Sequence, residues 1–310
     1  MKFSITIPAY KRTYLKEAID SCLAQTYEDF ELIIVNDASP EDLDSIVNLY
    51  SDKRIRYYKN EKNCGAVDVV DNWNKCLEYA TGEYIICMGD DDRLLPCCLE
   101  EYVKLMKLYP GLGVYHAWTE IIDENGDFAS VTQHRCEYES VYSLIWHRWD
   151  NRKHQFIGDF LFHVDTLKKV GGFYKLPMAW GSDDITAVIC AANKGIANTQ
   201  RIVFQYRENG QTISNTGNLK IKIDAIIAEQ EWYSKFLQKV PENSMDIKYR
   251  KAILRLFEDH FKNKKKVYVL NDLRSQPIFF SFYYWWKKKS ILRFSSIEMF
   301  TVFVKSFKKS

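Results

Sequence analysis

The stretch Glu83-Tyr-Ile-Ile-Cys-Met88, followed by Gly89-Asp-Asp-Asp-Arg-Leu-Leu-Pro96, decides how this chain is read. An apolar, Ile-rich run of strand length passes directly into three adjacent carboxylates, so a buried strand ends in an acidic elbow. Like charges in sequence repel one another and are costly unless a cation or hydrogen-bond donors compensate them. Hard oxygen ligands of this kind suit Mg²⁺ or Mn²⁺. The plain alternative is a solvated acidic helix start, since Asp favours helix N-termini.

The same rhythm recurs upstream. Phe3 to Pro8 and Phe30 to Val35 read as buried strands, and Arg54 to Lys59 as a more exposed one. Between them Leu15, Ile19, Cys22 and Leu23 recur at helical spacing, Ser39 caps a helix opening at Pro40, and Val69 to Tyr79 is a third helix. This βαβαβαβ order predicts an α/β fold with a Rossmann-like, mostly parallel sheet and helices on both faces. Its ligands gather outside the carboxyl ends of the strands. Four elbows converge there: Pro8-Ala9-Tyr10, Asn36-Asp37, Asn63-Cys64-Gly65 and Gly89 to Asp92. A carboxylate at Asp37 can accept the N–H of a base such as uracil, or simply cap a turn.

Downstream, Leu112 to Phe128 reads as a strand and a turn at Asn125-Gly126, and Phe156 to Val170 as strand then helix, closed by Gly171-Gly172. Tyr174 to Gly181 is an irregular loop, Asp183 to Asn193 a helix and Gln200 to Tyr206 a strand. Lys220 to Gln238 and Ile247 to Lys262 are helices, whereas the Trp-, His- and Arg-rich stretch Tyr142 to Gln155 fits no single pattern.

Composition narrows the class. With 310 residues, 46% hydrophobic and 27% charged, the chain is neither disordered nor collagen-like nor a polytopic membrane protein. Its net charge of +2 conceals an acidic body and a tail that carries a net +10 from His260 onward. The eight cysteines form no CxxC pair, which suits reduced thiols in a cytosolic protein, and the start lacks a signal-peptide pattern. No uncharged apolar run reaches the length of a membrane span.

Four motifs stand in fixed order: Ser4-Ile-Thr-Ile-Pro8-Ala-Tyr10-Lys-Arg, Ile34-Val-Asn-Asp37-Ala-Ser39, Asn72-Trp-Asn74 with Ala80-Thr-Gly82-Glu-Tyr84-Ile, and Gly89-Asp-Asp-Asp-Arg-Leu-Leu-Pro96. Val170-Gly-Gly-Phe173, Gly181-Ser-Asp183-Asp184 and Tyr206-Arg207 with Ser214 follow. Together they resemble the bacterial family 2 glycosyltransferases of the cell-surface polysaccharide type, which have the GT-A fold. The resemblance covers residues 1–215. It implies a nucleotide-binding part at 1–96, an acceptor part at 97–215, and a helical extension with a basic, aromatic tail at 216–310.

Carried over by position, the resemblance implies an inverting, metal-dependent transferase that moves a sugar from a UDP-sugar to a hydroxyl of a glycan or lipid-linked acceptor. Asp37 would bind the base, with Pro8, Ala9 and Tyr10 cradling base and ribose. Asn63, Gly65 and Asn74 belong to the same donor side, Asp90 would face ribose or sugar, and Asp91 with Asp92 would hold Mg²⁺ or Mn²⁺. Gly89 stands where the commoner motif has Asp, which leaves the roles within the triplet open. Asp184 is expected as catalytic base, with Asp183 as the alternate; both could instead cap the helix that follows. Arg207 and the Glu208 to Ser214 loop would close over the diphosphate. Trp180 and Tyr174 would stack on the acceptor sugar or pack in the core.

The rival functions are a nucleotidyltransferase, which would release pyrophosphate, and a non-catalytic nucleotide-sugar or glycan binder. Nucleic acid is not expected as a partner, because the body is acidic. Tyr283-Tyr-Trp-Trp286, Lys287-Lys-Lys289 and the helically spaced Ile297, Phe300, Val304 and Phe307 suggest peripheral contact with an anionic membrane at its cytoplasmic face. The alternative is a helix packed on the body.

Overall fold

The strands form because apolar residues on both sides of the sheet find separate cores. In the computed structural model, which describes residues 1–150, 154–192, 194–210 and 218–307, the first half runs β1 (Phe3–Ala9), α1 (Leu15–Leu23), β2 (Phe30–Asn36), α2 (Asp44–Val47), β3 (Ile55–Lys59), α3 (Val69–Tyr79), β4 (Tyr84–Cys87), β5 (Arg93–Leu94) and α4 (Cys98–Leu108). It continues with β6 (Val114–Ile122), β7 (Phe128–Val131), β8 (Tyr138–Glu139), α5 (Val141–Trp149), β9 (Phe160–His163), α6 (Val164–Lys169), α7 (Ser182–Ala191) and β10 (Ile196–Arg207). Helices α8 (Leu219–Phe236), α9 (Ser244–Ser275), α10 (Ile278–Lys287), α11 (Lys289–Leu292) and α12 (Ser296–Ser306) complete it.

One ten-stranded sheet has the order β3-β2-β1-β4-β9-β6-β10-β5, with β7 beside β6 and β8 beside β10. The β3-β2-β1-β4 half is parallel throughout. Beyond it β9 runs antiparallel between β4 and β6, and β10 returns parallel to β6. Successive side chains on a strand point to opposite faces. Ile5, Ile7, Leu32, Ile34 and Ile86 therefore pack with Ala18 and Ile19 of α1 and Leu99 and Tyr102 of α4. Ile33, Val35, Ile85 and Cys87 pack on the other side with Val70 and Trp73 of α3, Leu144 and Ile145 of α5 and Ile185 of α7. Each such side chain contributes roughly 1.5–3 kcal/mol by leaving water.

Three segments depart from the sequence reading. The helix expected from Pro40 shrinks to α2, because the Ser39 hydroxyl accepts from Glu41 N at 3.0 Å and donates to Tyr10 O at 2.5 Å. Ser39 thereby ties the β2 elbow to the β1 elbow instead of capping a helix. The unassigned Tyr142 to Gln155 stretch contains α5, whose N-cap Ser140 accepts from Ser143 N. The helices after residue 215 also divide: Ala225, Ile226, Tyr233, Ile253, Phe257 and Phe261 of α8 and α9 complete the core behind α3, α5 and α7. The distal α10 to α12 have their own cluster, in which Trp285, Leu292, Phe294, Met299 and Val302 meet Ile223, Val269 and Leu273.

Between β1, β2 and the α3–β4 turn lies a buried carboxylate. Glu31 accepts from Ser4 Oγ at 2.6 Å, Thr81 N at 2.7 Å, Thr81 Oγ1 at 2.8 Å and Arg56 Nη1 at 2.6 Å. Burial alone would raise its pKa, but these donors outweigh burial and hold it down to about 2. A carboxyl depressed in the folded state stabilises above its unfolded pKa and loses that contribution as pH falls through the folded one. Glu31→Gln should therefore be less stable than the parent at pH 6, and the difference in urea midpoint should shrink between pH 4.5 and 2. A gap that stays constant across this range would contradict the assignment.

Candidate active site

Strand β1 lies between β2 and β4, and at this switch of strand order the loops leaving the carboxyl ends part and open a crevice. The cavity there measures about 670 Å³, and its walls include Pro8, Tyr10, Asp37, Asn63, Gly65 and Gly89 to Asp92. The elbows are locked to one another. Asp90 Oδ2 accepts from Tyr10 N at 2.6 Å and Lys11 N at 2.7 Å, which joins the β4 elbow to the β1 elbow. Asp37, 6% exposed, accepts from Asn60 Nδ2 at 2.7 Å and Cys64 N at 3.0 Å, while its carbonyl accepts from Asn63 Nδ2 at 2.7 Å. Ala38 follows with φ 48°, so the backbone turns sharply just past the carboxylate.

The acidic triplet is held by N–H donors. Asp92 Oδ1 accepts from Arg207 N at 3.0 Å, and Asp91 Oδ2 accepts from Asn209 Nδ2 at 2.9 Å. Burial and the neighbouring Asp91 raise the Asp90 carboxyl to about 6 and push Asp92 well above the carboxylate range, against the pull of the backbone donors. The crowded carboxyls on the cavity wall thus resist ionising together, a cost that an arriving cation would relieve.

The opposite wall comes from the second half of the chain. A single turn, Pro177–Ala179, places Met178 at φ 58° and Ala179 at φ 54°, and Gly181 follows at φ 90°. Consecutive left-handed residues are strained and persist only where the surroundings fix them. A Cβ on Gly181 would lie 3.0 Å from the Glu229 carboxyl carbon, so the loop sits close on α8. Next comes the acidic pair. Arg148 Nε of α5 pairs with Asp184 Oδ1 at 3.0 Å, and Gln155 Nε2 donates to the same oxygen at 2.5 Å. Burial would raise Asp184, but Arg148, Lys264 and Gln155 hold it below the ordinary carboxylate pKa. Asp183 goes the other way: burial and the adjacent Asp184 charge raise it well above that range. Asp183 and Asp184 both line the cavity. The expected base, Asp184, is therefore the partner already engaged by Arg148 and Gln155.

Several expected site residues lie elsewhere. Ala9 is buried behind the elbow, and Asn74 accepts from Phe173 N at 2.8 Å and so pins the Gly172 turn. Tyr174 packs edge-on against Trp232 of α8, with its N–H donating to Thr186 Oγ1 at 2.9 Å. Arg207, expected at the diphosphate, is fully buried: it donates to Asp91 O at 2.8 Å, pairs with Glu17 at 2.7 Å and covers the Tyr14 ring at 4.2 Å. It is a strut beneath the triplet, and residues 211–214 of the loop expected to follow it, Ser214 included, lie outside the described residues. Trp180 does line the cavity, edge-on to Tyr268 and with Lys222 Nζ 4.6 Å from its ring centre. Arg148, Gln155 and Lys264 were not foreseen. Arg148 and Gln155 fall in the stretch with no clear periodicity, and Lys264, paired with Glu229 at 2.6 Å, sits among basic tail residues that resemble one another in sequence.

The fold and the crevice define an α/β protein of the GT-A type. The structure is similar to that of S. aureus TarS, crystallised with UDP-GlcNAc, at a TM-score of 0.64 and 16% identity, covering 87% of this chain and 81% of that one. The family model for glycosyl transferase family 2 matches residues 4–171. The chain belongs to glycosyl transferase family 2. An uncharacterized glycosyltransferase of Haemophilus influenzae is 30% identical over 54% of this chain and 72% of its own length. One from Rickettsia typhi is 35% identical over 39% of this chain, and the match spans 37% of that relative. Escherichia coli WcaA, a putative colanic acid biosynthesis glycosyl transferase, is 41% identical over 30% of this chain and 33% of its own.

If the Arg148 pair fixes Asp184, then Arg148→Met leaves a buried carboxylate without that compensation. Stability should fall by more than the ~1 kcal/mol that marks the upper end for an exposed pair. An unchanged urea midpoint would show that the pair contributes nothing to the fold.

Proposed function

We propose that the chain transfers a sugar from a nucleotide donor, a UDP-sugar, to a hydroxyl of a glycan or lipid-linked acceptor in cell-surface polysaccharide synthesis, with inversion at the anomeric carbon. The observation that carries this reading is the division of one cavity into two walls: strand-end carboxylates Asp37 and Asp90 to Asp92 on one side, and the unequal pair Asp183 and Asp184 on the other. The names of relatives point the same way, since WcaA is named for colanic acid and TarS was crystallised with UDP-GlcNAc. All eight cysteines are free thiols, which supports a cytosolic location.

The residues fit a divalent cation. Asp91 lies half-buried on the cavity wall, whereas Asp90 already accepts two backbone N–H groups and Asp92 is buried, so Asp91 would hold Mg²⁺ or Mn²⁺, with Asp90 or Asp92 in support. Such an ion takes one or two carboxylates plus substrate phosphates. When bound, it would offset the charge of the departing diphosphate.

On the far wall, Asp183 accepts the proton of the acceptor hydroxyl as its oxygen bonds the anomeric carbon. The carbon–phosphate oxygen bond breaks, and its electron pair leaves on the nucleoside diphosphate. A base needs a pKa near the working pH, and the raised Asp183 meets this better than the depressed Asp184. Arg148, Gln155 and Asp184 keep the loop and the acceptor wall in place.

Asp183→Asn should lower sugar transfer by about 10²–10⁴-fold with donor affinity unchanged, while Asp184→Asn should retain measurable transfer and lose stability. Because the Asp183 carboxyl is raised, its ionised fraction grows with pH. The parent rate should therefore climb above neutral pH, and Asp183→Asn should lose that rise. Initial rates across pH, with EDTA abolishing turnover and Mn²⁺ restoring it, test the scheme. A parental rate in Asp183→Asn would refute it.

A further inference from the structure

The tail is neither wholly packed nor wholly free: α10 to α12 are bolted to the body by one face and bare on the other. Asp272 of α9 accepts from Trp285 Nε1 at 2.7 Å and Ser281 Oγ at 3.1 Å, so the module is fixed to the long helix that carries Lys264 to the cavity wall. On the outer side a ring cluster crosses from α10 to α12. Phe303 lies 6.1 Å from Phe279, 6.2 Å from Phe300 and 5.1 Å from Phe307. The members around it are open to solvent, with Phe279 at 74%, Phe300 at 58% and Phe307 at 60% exposure.

The charge carried by these helices is mainly basic. Lys287, Lys288, Lys289 and Lys305 belong to the same helices and their joints, Arg293 is paired with Glu258 of α9 at 2.6 Å, and the single acid between 278 and 307, Glu298, is paired with Lys262 at 3.2 Å and Lys266 at 3.0 Å. Lysine ammonium groups lie over ring faces, Lys287 at 4.4 Å from Tyr283 and Lys289 at 4.3 Å from Trp286. Aromatic rings with cations beside them match the headgroup region of a bilayer, where rings enter the acyl boundary and ammonium groups meet lipid phosphate. Among the described residues no helix is long and apolar enough to cross a membrane. A symmetric contact with a second copy would set one basic rim against another, which electrostatics disfavours.

We infer that the outer face of α10 and α12 docks on an anionic lipid surface, lying in the interface without spanning it. The docking is independent of sugar transfer and is measured without donor or acceptor, so its failure leaves that reading untouched.

The test is co-sedimentation of the full chain with phosphatidylcholine vesicles, with and without phosphatidylglycerol. The parent should bind the phosphatidylglycerol vesicles and release at high salt. Lys287→Ala with Lys305→Ala should weaken binding about 30-fold, at about fivefold for each lysine. Phe279→Ser with Phe300→Ser should weaken it by at least about tenfold. Parental unfolding midpoints in both pairs show that the body is intact. Should the phenylalanine pair disturb folding, the lysine pair and the salt dependence carry the test. The proposal is overturned if the parent ignores phosphatidylglycerol, if the folded variants bind as tightly as the parent, or if the parent is a dimer that Phe279→Ser with Phe300→Ser splits.

Discussion

An ion pair between α5 and α7, Arg148 with Asp184, fixes the acidic pair on the cavity wall. Two neighbouring carboxyls in a buried position cannot share one environment. Once Arg148 and Gln155 engage Asp184, burial and the Asp184 charge together raise the pKa of Asp183, and the two carboxyls differ in protonation. Gln155 is itself held from within, accepting from Arg135 Nη2 at 3.0 Å, so a buried string of polar groups runs from the cavity into the protein. The strained turn at Met178 and Ala179 is held beside it by α8 and α3.

The donor wall rests on a different constraint. Parallel strands place their carboxyl ends together, and Asp90 turns that proximity into a fixed geometry by accepting two N–H groups from the β1 elbow. Arg207 then secures the triplet from below through Asp91 O and Glu17. A fully buried arginine with these partners serves the site by holding carboxylates in place. The two walls come from distant parts of the sequence, and α9 carries both Lys264 on the cavity wall and Asp272, which holds α10.

Much of the strand-end wall was legible because strand periodicity and elbow chemistry are local. The Ile-rich run before Asp90, the Asn36-Asp37 end of β2 and the Asn63 to Gly65 turn can each be read from a few residues, and the fold brings Asp37, Asn63, Gly65 and Asp90 to one cavity. The acceptor wall depends on contacts far apart in sequence. Nothing near Asp183 or Asp184 reveals that Arg148 will reach one and not the other, and α5 hides its period under aromatics buried on several sides. Ser39 has the residue type and position of a cap, yet its hydroxyl meets the Tyr10 carbonyl in space. For Arg207 the residue type suggested a phosphate ligand, and only burial reveals a strut. The tail's two possibilities were likewise undecided in sequence, since packed and bare faces alternate within the same helices.

The central claim is that one cavity passes a sugar from a nucleotide to a hydroxyl by direct displacement. Proton and phosphorus NMR of the complete reaction, run with a panel of UDP-sugars and a glycan acceptor, tests it most directly. The account predicts a nucleoside diphosphate as the phosphorus product and a new glycosidic proton of anomeric configuration opposite to that in the donor. Release of pyrophosphate, or retention of the donor configuration, would contradict it.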